Sequence, residues 1–195
     1  LYQFILDNDV MSLYIRKDLL NNKREQAKFR SKYGYPLGVP KTWDQLEDIQ
    51  EFFHRPPKLY GASEQRNRGW GYGWWMARFI SKRKPFMPFF DADMNPLLTT
   101  KEGIKTTEQY VATVKYSHPN VLSWSFSETV ALMASGKSMS DVRWPFLAGV
   151  VEGKDSKVKG KVAFALPPGD VVNGKLVQRS LLQFGTAVAV NANSK

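Results

Sequence analysis

The residues best suited to chemistry in this 195-residue chain form one stretch, Arg68-Gly69-Trp70-Gly71-Tyr72-Gly73-Trp74-Trp75. Half of the chain's 6 tryptophans fall inside it, interleaved with glycine. Glycine-rich turns run along surfaces, so Trp70 and Tyr72 are expected to present flat rings of the kind that stack on a sugar ring or a base. Trp74 and Trp75 open a predicted helix, a position that suits core packing as well as binding. The Gly-x-Gly-x-Gly spacing lacks the preceding strand and the later acidic residue of a dinucleotide site. A second candidate is Arg143-Trp144-Pro145-Phe146, at the end of a predicted strand. Ligands bind at strand ends in open α/β sheets, and Arg143 beside Trp144 offers hydrogen bonds next to a stacking face.

Nothing in the sequence reads as a catalytic or metal-binding constellation, so the chain is expected to be no enzyme and to carry no cofactor. There is no cysteine, which removes disulfides, thiolate catalysis and cysteine-based metal sites. His54 and His118 are the only histidines, and neither sits in a nucleophile motif. Asp91-Ala92-Asp93 reads as a turn, without the glycine and distal glutamate of a calcium loop.

Capped helices and short strands must position the two aromatic segments. Thr42-Trp43-Asp44-Gln45 is a capping box, followed by Trp43, Leu46, Ile49 and Phe53 at helical spacing and ended by Pro56-Pro57. Thr99 to Glu102 is read as a second box, with Ile104, Tyr110, Val111 and Val114 as the apolar face behind it. Ser125 to Glu128 is a third, leading through Val130 and Met133 to a left-handed stop at Gly136. Further helices are predicted over Leu20 to Phe29 and within Trp74 to Ser81. Strands are predicted at residues 1–6, 11–15, 138–144, 161–166 and 187–190, the fourth closed by Pro167-Pro168-Gly169. Strands interleaved with helices indicate an α/β layer fold.

Composition is that of an ordinary globular domain, with 43% hydrophobic residues. The net charge of +10 comes from 28 Lys+Arg against 18 Asp+Glu. Its cations are scattered in short clusters, Lys82-Arg83-Lys84 and Lys154, Lys157, Lys159, Lys161, which reads as a solvated surface rather than a phosphate-binding stripe. The longest uncharged apolar run, Trp144 to Val151, falls far short of the roughly 20 residues that span a bilayer. Leu1 is no natural start, so the chain reads as a fragment.

Four segments in order resemble the extracellular solute-binding proteins of carbohydrate ABC importers, the maltose-binding-protein-like family. Val10 to Leu20 resembles the family's strand followed by Lys-Asp-Leu, and Pro40-Lys41-Thr42-Trp43-Asp44-Gln45-Leu46 its Pro-x-Thr-Trp-x-Glu helix start, with Gln in the acidic place. Gly136-Lys137-Ser138-Met139 through Trp144 is similar to its Gly-Lys-x-Ala-Met segment. Phe184 to Val190, with Asn193-Ser194-Lys195, is similar to its Gly-Gly-Trp-Gly strand, although Phe184 replaces the first glycine and Thr186 stands where tryptophan is common.

The resemblance implies an α/β chain that is one lobe of a two-lobed periplasmic-binding-protein-like fold, a mixed sheet flanked by helices. Residues 1–195 would be the second, C-terminal lobe with hinge-strand remnants at both ends. It implies a carbohydrate or polyol held between lobes by Asp9, Trp70, Tyr72, Trp144 and the hinge strand at Gly185, with Trp74 added from the aromatic stretch itself, where core packing is the readier reading. To these we add Arg143 from its position alone. The partner would be the transmembrane subunits of an ABC permease and the location periplasmic or extracellular, with no nucleic acid expected. The rival is a basic, aromatic-rich module for single-stranded nucleic acid, built on the same turn with Arg66, Arg68 and Arg78.

Overall fold

Alternating and wholly apolar short runs form strands because both faces of the central sheet are covered by helices. The computed structural model describes residues 3–5, 9–83, 89–180, 182–184, 187–189 and 191. In chain order, β1 (Gln3–Ile5), β2 (Asp9–Val10) and β3 (Ser12–Arg16) lead into α1 (Lys17–Leu20), α2 (Lys23–Tyr33) and α3 (Trp43–Phe53). β4 (Tyr60–Ala62), α4 (Tyr72–Phe79), α5 (Lys101–Ala112) and α6 (Phe126–Ala134) follow, then β5 (Ser138–Arg143), α7 (Phe146–Val151) and β6 (Val162–Ala165). β7 (Asp170–Val172) and β8 (Lys175–Val177) form a hairpin, and β9 (Leu182–Phe184) and β10 (Ala187–Ala189) close the chain. The central sheet has the order β4-β5-β3-β6, with β4 and β5 parallel and β3 antiparallel to both its neighbours. It is a mixed sheet between helical layers, as the sequence predicts.

The two faces of β3 build two cores. Leu13 and Ile15 pack with Phe29, Trp43, Leu46, Ile49, Phe53, Trp74 and Val142. Tyr14, on the other face, packs with Met133, Leu147, Val151, Val158 and Val162. At the chain ends, β1 pairs antiparallel with β10 and β2 with β9, so the two ends lie side by side. No helix among the described residues is long and apolar enough to cross a membrane.

The caps form with local adjustments. Thr42 Oγ1 accepts from the Gln45 N–H at 3.2 Å, but the Gln45 side chain returns to the N–H of Lys41 at 2.8 Å instead of to Thr42. Ser125 and Glu128 close the third box, and Gly136 stops α6 at φ 80°. The second box is displaced by one residue: Thr100, not Thr99, caps α5 through the N–H of Gly103. Its apolar face is also displaced, because Ile104 and Val111 are 52% and 62% exposed while Gly103, Thr106 and Gln109 face inward. The inward stripe is small and polar for two reasons. A Cβ on Gly103 would lie 2.1 Å from the Leu98 carbonyl, and Gln109 bridges Asp44 and Lys82 at 2.7 and 3.1 Å.

Candidate functional site

Sheet topology gathers the candidate residues at one end. The parallel strands β4 and β5 both point their C-terminal ends there, and Ser12, which begins β3, pairs with Arg143 at the end of β5. The chain leaving β4 forms the turn that carries Trp70 and runs into α4, whose first residue is Tyr72. Asp9, on β2, pairs with Phe184 just beyond the start of β3. Gly185, which follows Phe184, lies outside the described residues.

Two rings of the glycine-rich turn are open to solvent, Trp70 at 44% and Tyr72 at 48%. Beneath them Trp144 is only 5% exposed. Trp70 meets Trp144 edge-on with ring centroids 6.1 Å apart, and Trp74 meets it at 5.4 Å. Trp144 thus touches both an exposed ring and a core ring. Glycine suits position 71, since a Cβ there would lie 2.7 Å from the Tyr110 hydroxyl and displace it from the Gly71 carbonyl, to which it donates at 2.8 Å.

Two expected ligand contacts are corrected by burial. Trp74 is fully enclosed and donates its indole N–H to the Val142 carbonyl at 2.6 Å. Arg143 is also fully enclosed, bonding the Asp141 carboxylate, the Ser63 carbonyl and the Thr129 hydroxyl at 3.0 Å each. An arginine at the end of an exposed strand would reach solvent, but here α6 covers that face of β5. Asp9 is half-buried on its ladder strand and engaged in interactions of its own.

Beneath these rings lie buried charges whose arginines the sequence reading placed at the surface and whose carboxylates, Glu64 and Asp141, it did not single out. Glu64, without solvent exposure, accepts from Arg66 at 2.8 Å and from Arg78 at 2.8 and 3.1 Å. Arg66 also lies over the Tyr110 ring at 4.0 Å and bonds the Thr113 hydroxyl, while Arg78 lies over Trp43 at 4.6 Å and bonds the Trp74 carbonyl. Burial alone would raise the Glu64 pKa, but Arg78 and Arg66 together hold it below the usual carboxylate value. Burial of Asp141 prevails instead, pushing its pKa up to about 6 against the pull of Arg143 and the Ser63 hydroxyl.

Two further aromatic rings stand at this end. Phe126 and Phe146 begin α6 and α7, remain exposed, and lie 4.8 Å apart. Phe146 closes the second candidate segment, whereas Phe126 was not singled out, although an apolar residue in the first turn of a helix with a capping box was the signal for it. Among the described residues no group of three His, Asp or Glu could hold a metal ion.

This arrangement, exposed rings over a buried polar base at the strand ends of an α/β sheet, is suited to holding a small solute. Over residues 2–195 the chain matches the family described as bacterial extracellular solute-binding protein, and it belongs to that family. A solute-binding protein from Agrobacterium radiobacter K84 in complex with ribitol superposes with a TM-score of 0.73 at 22% identity, covering 98% of this chain and 44% of that one. For the maltose-bound MalE3 of T. maritima the TM-score is 0.71 at 20% identity, with 94% and 43% covered. For the Agrobacterium vitis S4 protein with bound D-mannitol it is 0.66 at 25% identity, with 87% and 39% covered. The chain therefore spans only 39 to 44% of the length of these proteins.

Proposed function

We propose that this chain is the second lobe of a solute-binding protein that captures a sugar or polyol between two lobes, outside the cytoplasm, and hands it to an ABC permease. The observation that carries the reading is the exposed pair Trp70 and Tyr72, anchored through Trp144 at the C-terminal end of β5. Sugars present apolar C–H faces to such rings and hydroxyls to carboxylates. Asp9, half-buried on β2 just before β3, would supply such a carboxylate, since Glu64 and Asp141 near the same strand ends are fully buried, and Phe126 with Phe146 extends the apolar ledge. The ladders β1–β10 and β2–β9 support the hinge reading, because two crossing strands bring both chain ends to one edge. The ligands named for the relatives, ribitol, maltose and D-mannitol, support the solute class.

The nucleic-acid alternative loses two of its three cations, since Arg66 and Arg78 are buried against Glu64. Calorimetry of the two-lobed parent against sugars and polyols tests the proposal. Trp70→Ala should weaken binding about tenfold, the order expected for one stacking ring, with little dependence on salt. No heat with any sugar or polyol, together with salt-steep binding to oligonucleotides, would reject it. This lobe alone should bind weakly, because half the contacts and the closure that excludes water are missing.

A further inference from the structure

A cavity opens at the end of the sheet opposite Trp144. Tyr60 pairs with Ser138 where β4 and β5 begin, and its N–H donates to the Lys137 carbonyl at 2.8 Å. The six residues of β5 separate this end from Trp144 by roughly 20 Å at about 3.3 Å per residue. Here Pro57, Tyr60, His118, Trp124, Glu128 and Lys137 are among the residues that line a cavity of about 460 Å³, a volume suited to a small molecule.

The walls are flat. The His118 and Trp124 rings stack 3.8 Å apart at 17°, and the Tyr60 ring lies 5.0 Å from His118. His118 Nδ1 accepts the Asn120 N–H at 3.1 Å, which places the ring proton of the neutral imidazole on Nε2. Burial and then the Lys137 ammonium lower the basicity of His118 and favour that neutral form. The lining carries two charges at opposite ends of α6. The Glu128 carboxylate, in the first turn, accepts the Ser125 N–H at 3.0 Å, whereas Lys137, just past the C-terminal end, makes no ion pair among the described residues. The cavity thus combines aromatic walls, one neutral N–H donor, a carboxylate held at the helix start and an ammonium with no ion-pair partner among the described residues.

We infer that this cavity binds a carboxylate carried on a ring with a flat apolar face, an aromatic acid or a uronic acid. The ring lies against the aromatic wall, and the carboxylate meets Lys137 Nζ and the His118 Nε2–H. A neutral sugar would use the wall but leave the ammonium unmatched, which separates this site from the one at the other end of the sheet. The inference does not depend on the sugar-capture proposal.

The test is NMR of the His118 imidazole and Trp124 indole signals in this chain while 4-hydroxybenzoate or glucuronate is added, with methyl 4-hydroxybenzoate and glucose as neutral controls. Saturable shifts with an acid and not with its neutral control are expected, and Lys137→Gln should weaken binding about tenfold by removing one charge-assisted contact. The His118 pKa should rise when the acid is bound, since an anion favours the imidazolium. Saturation by 4-hydroxybenzoate alone identifies an aromatic acid, by glucuronate alone a uronic acid, and by both the shared chemistry. No shift with either acid up to about 10 mM, equal binding of the neutral controls, or binding unchanged in Lys137→Gln overturns the inference.

Discussion

Glu64→Gln preserves shape and removes one charge, and the structure says what that charge does. Glu64 accepts from Arg66 and Arg78 in full burial, so the substitution leaves two enclosed guanidiniums facing an amide that must turn a donor toward one of them. Breaking a buried ion pair costs about 3–5 kcal/mol because the remaining charge is uncompensated. Two cations share this carboxylate, yet each keeps other partners: Arg66 the Thr113 hydroxyl and the Tyr110 ring, Arg78 the Trp74 carbonyl and the Trp43 ring. The cost should therefore stay within that range rather than double. For a chain of this size each kcal/mol moves the melting temperature by about 2–4 °C, so a fall of roughly 6–20 °C is expected.

Urea unfolding followed by near-ultraviolet circular dichroism measures the loss and also reports the tryptophan environment. Glu25→Gln is the internal control. It breaks the bidentate surface pair with Arg55, at 3.0 and 2.8 Å, and should cost less than about 1 kcal/mol. Equal small losses from both substitutions would mean that water reaches the guanidiniums and that Glu64 does not organise them. A large loss with an unchanged aromatic signal would separate the network from the turn above it, contrary to the reasoning here.

Asp141 gives a pH signature of the opposite sign to that of Glu64. A carboxyl raised from 3.8 to about 6 adds stability when protonated, so its contribution is full below about pH 3.8 and is lost as the pH rises through about 6. A shift of that size corresponds to about 3 kcal/mol; Asp141→Asn should flatten the stability profile across this window, and an unaltered slope in urea titrations would refute the assignment. Gly61→Ala should destabilise by about 1–3 kcal/mol or more in the same assay, because the new Cβ would lie 2.3 Å from the Gln50 carbonyl of α3; a silent substitution would mean that α3 and β4 do not approach so closely.

Periodicity and caps made much of the scaffold legible. Trp43, Leu46, Ile49 and Phe53 face the core as their spacing requires, and apolar runs at both ends of the chain become paired strands. The β7–β8 hairpin was missed although Asn173-Gly174 announces it: both residues adopt positive φ, 51° and 73°, as a tight hairpin turn demands. The inward face of α5 was misread because apolar residues were assumed to mark the core, while that face serves Lys82 and Asp44 through Gln109. At the site, Trp70 and Tyr72 followed from glycine-turn logic. Arg143 did not, because proximity to a strand end says nothing of which helix covers that end.

The buried charges were nevertheless written in the sequence, at a spacing that hydropathy ignores. Glu64 and Arg66, and again Asp141 and Arg143, are opposite charges two residues apart, and in extended chain such residues lie on the same side. Buried ion pairs of this kind are weak sources of net stability, since apolar replacements are often neutral or stabilising. Their contribution here is direction. A turn with glycine at positions 69, 71 and 73 has wide conformational freedom, and apolar contacts alone would not select one placement for Trp70. Arg66 fixes Tyr110, the Tyr110 hydroxyl fixes the Gly71 carbonyl, and Arg78 fixes the Trp74 carbonyl one residue beyond Gly73. If the chain captures a sugar or polyol as proposed, this anchoring of the turn would lower the entropy lost on binding.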